Sequence, residues 1–364
     1  MINNKLDIMP FSGWNDAGNT PLVIAGPCSA ETREQVITTA QEIAKIPQVQ
    51  IFRAGIWKPR TRPNSFEGIG SKGLEWLQEV KKTTRLKVCT EVAQPQHIEE
   101  ALKHDIDVIW IGARTVVNPF SVQELSEALK GVNIPVMIKN PITPDIQLWI
   151  GAIERINKAG IDKIAMIHRG FHSFKKSPYR NTPMWEIPIE LKRHFPDLPI
   201  ICDPSHISGC TELIKSVSQE ALDLNMKGLM IETHINPQTA LTDGKQQLTP
   251  HQLKVLLNEL KIRSAISTNQ EYINKLEMLR NDIDDLDFEL LCTISKRLKA
   301  VKEIGRYKKE NNTTIFQLER WKEIINNRLK FGKSQGLEED FILNLLKLIH
   351  KESIKVQTGI LNKK

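Results

Sequence analysis

Between residues 20 and 235 the chain repeats one pattern eight times: a short, almost continuous apolar run, then a stretch of helical spacing. The runs are PLVIAG (21–26), VQIFRAG (49–55), LKVCTE (86–91), IDVIWIG (106–112), IPVMIKN (134–140), DKIAMIHR (162–169), LPIICD (198–203) and KGLMIETH (227–234). A strand with one wet face alternates apolar and polar residues. A run that is apolar throughout is covered on both faces, as in a parallel sheet. Segments such as SKGLEWLQEVKKTT and PQHIEEALKH have the amphipathic spacing that supplies the cover. Eight β/α units in this length predict a closed (β/α)8 TIM barrel with its chemistry at the C-terminal ends of the strands. A doubly wound open sheet is the competing arrangement, but no GxGxxG follows the first strand, which disfavours a dinucleotide fold.

From Glu271 onward the periodicity changes. Leu276, Leu279, Ile283, Leu286, Leu290, Ile294, Leu298, Val301 and Ile304 follow at steps of three or four, and no proline occurs in residues 251–364. The spacing predicts a helix over about 272–310, close to ~60 Å long at 1.5 Å per residue, followed by shorter helices over about 316–331 and 338–357. The short helices cannot cover so long a stripe, so an oligomerising helical domain and a homodimer or larger assembly are expected. The polar stretch KIRSAISTNQ (261–270) reads as the junction. The expected division is a barrel at 1–262, a linker at 263–271 and a small all-α domain at 272–364.

Composition narrows the class. A chain that is 40% hydrophobic and 26% charged is an ordinary globular protein, and no apolar run reaches the ~18 residues of a membrane helix. The N-terminal MINNKLDIMPFSGWND shows no basic segment followed by an apolar one, so no secretory signal and no N-terminal regulatory domain ahead of the barrel are expected. Five scattered cysteines without CxxC spacing point to a reducing cytoplasm rather than a disulfide framework. Of the net charge of +7, +5 falls in residues 274–364. Such an excess attracts nucleic acid or a small polyanion; the helical half lacks the interleaved aromatics of a nucleic-acid surface, so no nucleic-acid partner and no membrane are expected.

The strand ends carry the chemistry. They read AGPCSAE, RAGIWKPRT, GART, KN, HRG, DPSH and ETH followed by TDGKQQ. A closed barrel brings Arg53, Lys58, Arg60, Arg114, Lys139 and Arg169 to one pole, and that many cations imply a substrate with several phosphate or carboxylate groups. Cys28, His206, Glu232 and Asp243 come from strands one, seven and eight, which are neighbours around the barrel. One thiol, one imidazole and two carboxylates suit one divalent transition metal such as Mn, Fe or Zn better than Mg or Ca.

These motifs together, over about residues 12–260, resemble 3-deoxy-D-arabino-heptulosonate-7-phosphate (DAHP) synthase of the I-beta type, the group related to the octulosonate synthases. The resemblance implies condensation of phosphoenolpyruvate with erythrose 4-phosphate and release of inorganic phosphate, the first step of the shikimate pathway. It places Arg53, Lys58, Arg114, Lys139 and Arg169 on phosphoenolpyruvate, Arg60 and Thr61 on the aldose phosphate, and Cys28, His206, Glu232 and Asp243 on the metal. KPRT distinguishes this branch from the octulosonate one, where the corresponding loop contains asparagine. IKN at 138–140 departs from the pattern, which often has a second basic residue. Crowding by arginines is expected to lower the pKa of Lys58, which would then give a proton to the developing alkoxide.

LEMLRNDIDDLDFELLCTISKRLKAVKEIGRYKK (276–309) resembles the first helix of the all-helical chorismate mutases, and the likeness extends over about 272–358. Arg280, Arg297, Lys308, Arg320, Ser353 and Gln357 match that family's site positions. Arg297 and Lys308, 11 residues apart, differ by only about 20° around a helix, whereas Arg280 is turned away from Arg297 by about 260°. The resemblance implies rearrangement of chorismate to prephenate with no cofactor. Lys308 and Gln357 would donate to the breaking ether oxygen, while Arg297 and Arg280 of the partner subunit hold the carboxylates. Trp321 stands where the family has a glutamate for the substrate hydroxyl, with Glu319 and Gln317 as nearby substitutes. The alternative reading makes the helical domain a dimerisation and effector-binding module. Feedback by prephenate or chorismate on the synthase is expected of either arrangement.

Overall fold

A computed structural model describes residues 6–14, 20–58, 66–264 and 266–362. All eight apolar runs are strands: β1 Leu22–Gly26, β2 Ile51–Arg53, β3 Lys87–Val92, β4 Val108–Ile111, β5 Val136–Lys139, β6 Ile164–His168, β7 Ile200–Cys202 and β8 Gly228–Glu232. They pair in parallel in sequence order and close through β1 and β8, where Ile24 faces Met230 and Gly26 faces Glu232. The helices around and above the barrel are α1 Arg33–Ala44, α2 Lys72–Thr83, α3 Pro95–Lys103, α4 Ala113–Val116, α5 Pro119–Ala128, α6 Ile146–Lys158, α7 Glu186–His194, α8 Pro204–Ser208, α9 Ile214–Asp223 and α10 Pro250–Glu259.

Why the strands read as apolar throughout is visible in the packing. Alternate residues enter two separate cores. Leu22, Ile24, Ile51, Val108, Trp110, Met137, Ala165, Ile167, Ile201 and Met230 fill the interior of the barrel. Their neighbours, such as Val23, Ala25, Phe52, Ile109 and Ile138, face the helices. Because side chains alternate every residue along a strand, the interior series continues at the strand ends as Arg53, Lys139, Arg169, Asp203 and Glu232. The same parity that packs the barrel therefore aims these groups into its C-terminal mouth. Near the strand starts, Phe11 and Trp14 pack edge to face, with centroids 5.0 Å apart, against the interior core.

The chain divides into two compact units, residues 1–265 and 266–364. The second holds three helices: α11 Gln270–Glu310, α12 Leu318–Ser334 and α13 Glu339–Leu361. Asn269 caps α11 by accepting from the Tyr272 amide. Over its 41 residues only Val301 and Gly305 are buried among the described residues, and α13 packs over Gly305. Gly305 permits that approach, since a Cβ there would lie 3.0 Å from Ile360 Cδ1. The first half of α11 leaves Leu279, Ile283, Leu286 and Leu290 between 45% and 63% exposed, so its apolar stripe is not covered within this unit. Among the described residues no helix is long and apolar enough to cross a membrane.

Candidate active sites

The mouth of the barrel holds a buried cluster of opposite charges. Cys28, Glu232 and Asp243 bring a sulfur and two carboxylate oxygens within 4.8 Å of one another. Cys28 Sγ is 3.4 Å from Asp243 Oδ2 and 3.3 Å from Lys58 Nζ. Lys58 Nζ also donates to the Cys28 carbonyl at 3.0 Å. Arg53, 1% exposed, reaches Glu232 Oε1 at 3.2 Å and lies 5.0 Å from the centre of the Trp110 ring. Gln246 Nε2 donates to Glu232 Oε2 at 2.7 Å, while Glu232 Oε1 is enclosed and accepts no aligned hydrogen bond.

His206 stands at the edge of this cluster, its Nε2 3.7 Å from Glu232 Oε1. Its Nδ1 faces Asp203 Oδ2 at 2.8 Å, close enough for ion pairing though out of line for a hydrogen bond. Asp203 Oδ2 also accepts from Lys139 Nζ at 2.8 Å, and Asp203 Oδ1 caps α8 through the His206 amide. A carboxylate behind Nδ1 leaves the Nε2 lone pair facing the cluster, the arrangement common to metal-ligating histidines. Asp203 was not singled out from DPSH, although it continues the interior parity of β7. Arg180 carries no sequence signal. It lies in the loop after β6 and donates to Asp243 at 2.9 Å and Gln246 at 2.7 Å.

Burial and charge set the protonation states. Burial, then Glu232, pushes the Cys28 thiol up to about 12. Burial would raise Asp243, yet His206 and Arg180 hold it well below the carboxylate range. Asp203 is likewise held low against burial by His206 and Lys139. Burial keeps His206 below the usual imidazole value, with Asp203 opposing. For Lys58 the expectation is reversed. Burial and Arg53 do act downward, but Cys28 and Glu91 outweigh them and its pKa rises. The donor set fits a divalent cation: two carboxylates, a thiol that a bound cation would deprotonate, one carboxylate oxygen with no aligned hydrogen bond, and an imidazole alongside.

Lys58, Arg114, Lys139 and Arg169 line one cleft with His206 and Asp243. Arg169 is held by Asn181 Oδ1 at 2.7 Å, and burial lowers its pKa to about 10. Gly112, which ends the interior series of β4, leaves room for Glu91, whose Oε1 would meet a Cβ at 2.0 Å. Arg60 and Thr61 lie outside the described residues. A larger cavity, about 610 Å³, opens at the other pole beside Trp14, Leu22, Lys87 and Val108, and Asp107 is the one carboxylate among its described lining residues.

In the helical unit Arg297 donates to Ser353 Oγ at 2.7 Å. Ser353 and Gln357 are 4% and 8% exposed on one face of α13, and Gln357 packs over Gly305, one turn from Lys308. Lys308 donates to the Ile315 carbonyl at 2.6 Å. Arg320 forms an exposed pair with Glu323 instead, and Arg280 is exposed on the uncovered half of α11. Trp321 stacks on His350. Glu319, 84% exposed in its side chain, pairs with Lys322, and Gln317 is the N-cap residue of α12. Arg328, not selected from the sequence, adds to burial in lowering the Arg297 pKa.

A parallel barrel whose strand ends gather cations around a thiol–carboxylate cluster, joined to a three-helix unit, defines an enzyme for anionic substrates with an appended helical domain. The chain belongs to the DAHP synthetase I family, whose model matches residues 12–266, and the chorismate mutase type II model matches residues 279–358. It is 36% identical over 239 residues to the phospho-2-dehydro-3-deoxyheptonate aldolase of Thermotoga maritima, covering 66% of this chain and 68% of that protein. It is 27% identical over 269 residues to the 2-dehydro-3-deoxyphosphooctonate aldolase of Wolinella succinogenes, covering 67% of this chain and 100% of that one. The crystal structure of DAHP synthase from Thermotoga maritima superimposes with a TM-score of 0.60 at 34% identity, covering 66% of this chain and 68% of that chain. The chain thus carries a DAHP synthase domain, a transferase, followed by a chorismate mutase domain, an isomerase.

Proposed function

We propose that the barrel, residues 1–262, condenses phosphoenolpyruvate with erythrose 4-phosphate, and that residues 272–364, after a linker at 263–271, rearrange chorismate to prephenate. The observation that carries the first activity is the convergence of Lys58, Arg114, Lys139 and Arg169 on one cleft beside the Cys28–Glu232–Asp243 cluster. Arg53, Arg114, Lys139 and Arg169 bind the phosphate and carboxylate of phosphoenolpyruvate, and Arg60 with Thr61 binds the aldose phosphate. Two mutually repelling anions are thereby held at bonding distance, which is chiefly a matter of orientation and charge. Lys58, whose Nζ stands beside Cys28 in this cleft, gives its proton to the oxygen that becomes the alkoxide. Cys28, His206, Glu232 and Asp243 would hold one divalent ion of the Mn, Fe or Zn kind, which would supply Lewis acidity toward the aldehyde oxygen.

The mutase needs preorganised charge alone, because its rearrangement forms no covalent intermediate. Arg297 and Arg280 of the partner subunit bind the two carboxylates, Ser353 supports that binding, with Arg320 doing so only on leaving its exposed pair with Glu323, and Lys308 and Gln357 donate to the ether oxygen. The exposed apolar stripe of α11 supports a homodimer through this domain. Five free cysteines support a cytoplasmic setting. Two assays on the full chain test the reading: phosphate release from phosphoenolpyruvate that depends on erythrose 4-phosphate, and loss of chorismate. Absence of either activity in the metal-replete protein removes that half.

A further inference from the structure

His350 has no part in the site described so far, yet it lies on α13 one turn before Ser353 and two before Gln357. The three share one face of the helix. Its ring lies against Trp321 with centroids 4.0 Å apart and planes 19° from parallel, and Phe316 approaches edge-on at 6.1 Å. These two contacts fix the plane of the imidazole. Its Nε2 is enclosed by the protein and has no hydrogen-bond partner, and Gln357 Oε1 on the same face is in the same condition. Enclosed polar atoms of this kind are rare in folded proteins, and two on one face beside the Arg297–Ser353 pair point to a bound group that pairs them.

The neighbouring chemistry says which group. Burial, and after it the nearby Arg297, lower the pKa of the imidazole and so disfavour its charged form. Trp321 occupies the position where the resemblance implies a carboxylate for the substrate hydroxyl, and an indole offers a donor but no acceptor. A neutral imidazole nitrogen can bond a hydroxyl and leaves the cations of the site to the carboxylates.

We propose that His350 is a substrate-binding residue of the helical domain: its Nε2, held in place by the Trp321 stack, hydrogen-bonds the ring hydroxyl of chorismate in place of a carboxylate. The inference rests on the mutase reading above. It is tested on the full chain by kcat and KM for chorismate in His350→Leu and His350→Gln, and by calorimetric binding of a bicyclic dicarboxylate analogue with and without its hydroxyl. His350→Leu keeps an apolar contact with Trp321 and removes the nitrogen, and kcat/KM should fall roughly 10- to 100-fold, as for a deleted buried hydrogen bond. His350→Gln returns a hydrogen-bonding atom near Nε2 and should recover most of that loss. The wild type should bind the hydroxylated analogue about tenfold more tightly than the deoxy one, again the effect of one hydrogen bond, and His350→Leu should bind both alike. Equal weakening on both analogues would mark a merely structural role and overturn the inference, as would a wild type indifferent to the hydroxyl or an unimpaired His350→Leu. A wild type that neither turns over chorismate nor binds either analogue overturns the mutase reading itself.

Discussion

Arg280 and Lys308 lie on one continuous helix, 28 residues apart, so within a single chain they are separated by about 42 Å at 1.5 Å per residue. No ligand of chorismate's size touches both. If each mutase site uses both, the two come from different chains. Arg280→Ala and Lys308→Ala homodimers should each lose on the order of 100-fold in kcat, the usual effect of removing one preorganised donor. Unfolding and refolding the two variants together in equal amounts should return activity to roughly a quarter of wild type. Half the dimers are then mixed, and one of their two sites is whole. No recovery, with subunit exchange shown by mass, would leave Arg280 outside the mutase site.

Cys28→Ser, or exhaustive chelation, should abolish phosphate release while chorismate turnover continues at its wild-type rate. The reason is the donor chemistry: Cys28, Glu232 and Asp243 bring a sulfur and two carboxylate oxygens within 4.8 Å of one another, whereas the proposed mutase site uses organic charges alone. Synthase activity that survives complete metal removal, measured by elemental analysis, contradicts the ligand assignment.

The proposed role of Arg60 and Thr61 makes the choice of aldose a test. With Arg60 and Thr61 following Lys58, kcat/KM for erythrose 4-phosphate should exceed that for arabinose 5-phosphate by at least about tenfold, near 1.4 kcal/mol of differential binding. Equal or reversed preference would move the barrel to the octulosonate branch.

His168 gives the fold an acid-sensitive element. Its ring is fully buried with centroids 5.0 Å from Trp185 and 5.7 Å from Phe171, and burial lowers its pKa to about 3. The unfolded chain therefore binds this proton from about pH 6.5 downward and the folded chain does not. Stability is full above that value and should fall by up to about 1.4 kcal/mol per pH unit as the pH drops toward 3. Equilibrium unfolding of metal-free protein in urea from pH 7 to 4 should show the slope, and His168→Phe should flatten it. An unchanged slope in that variant would assign the acid limb to the carboxylates.

Feedback is the remaining expectation. Prephenate or chorismate bound at the helical site should lower the rate of phosphate release, and Arg297→Ala should remove the inhibition along with mutase binding. Inhibition that persists in Arg297→Ala would place the effector elsewhere.

Much of this was legible along the chain. Strand parity is local, so a run such as VMIK already says that Met137 and Lys139 point the same way. The spacing of Leu279, Ile283, Leu286 and Leu290 says as directly that α11 has one apolar face. What the chain could not disclose is distance between residues far apart in sequence. Asp203 bridging Lys139 and His206, and Arg180 reaching Asp243, exist only because the barrel closes and its loops fold over the mouth.

The rising pKa of Lys58 is of the same kind. Counting nearby arginines in the sequence gave the wrong sign, because the sulfur of Cys28, 3.3 Å away and 30 residues earlier, outweighs them. The stack of His350 on Trp321 likewise joins two helices whose sequences carry no sign of each other. Periodic patterning alone thus determined the architecture and which face each residue takes, since both follow from backbone geometry repeated every two or 3.6 residues. The partners and protonation of the site were decided by tertiary structure, because electrostatic energy depends on separation and burial, which only the closed fold defines.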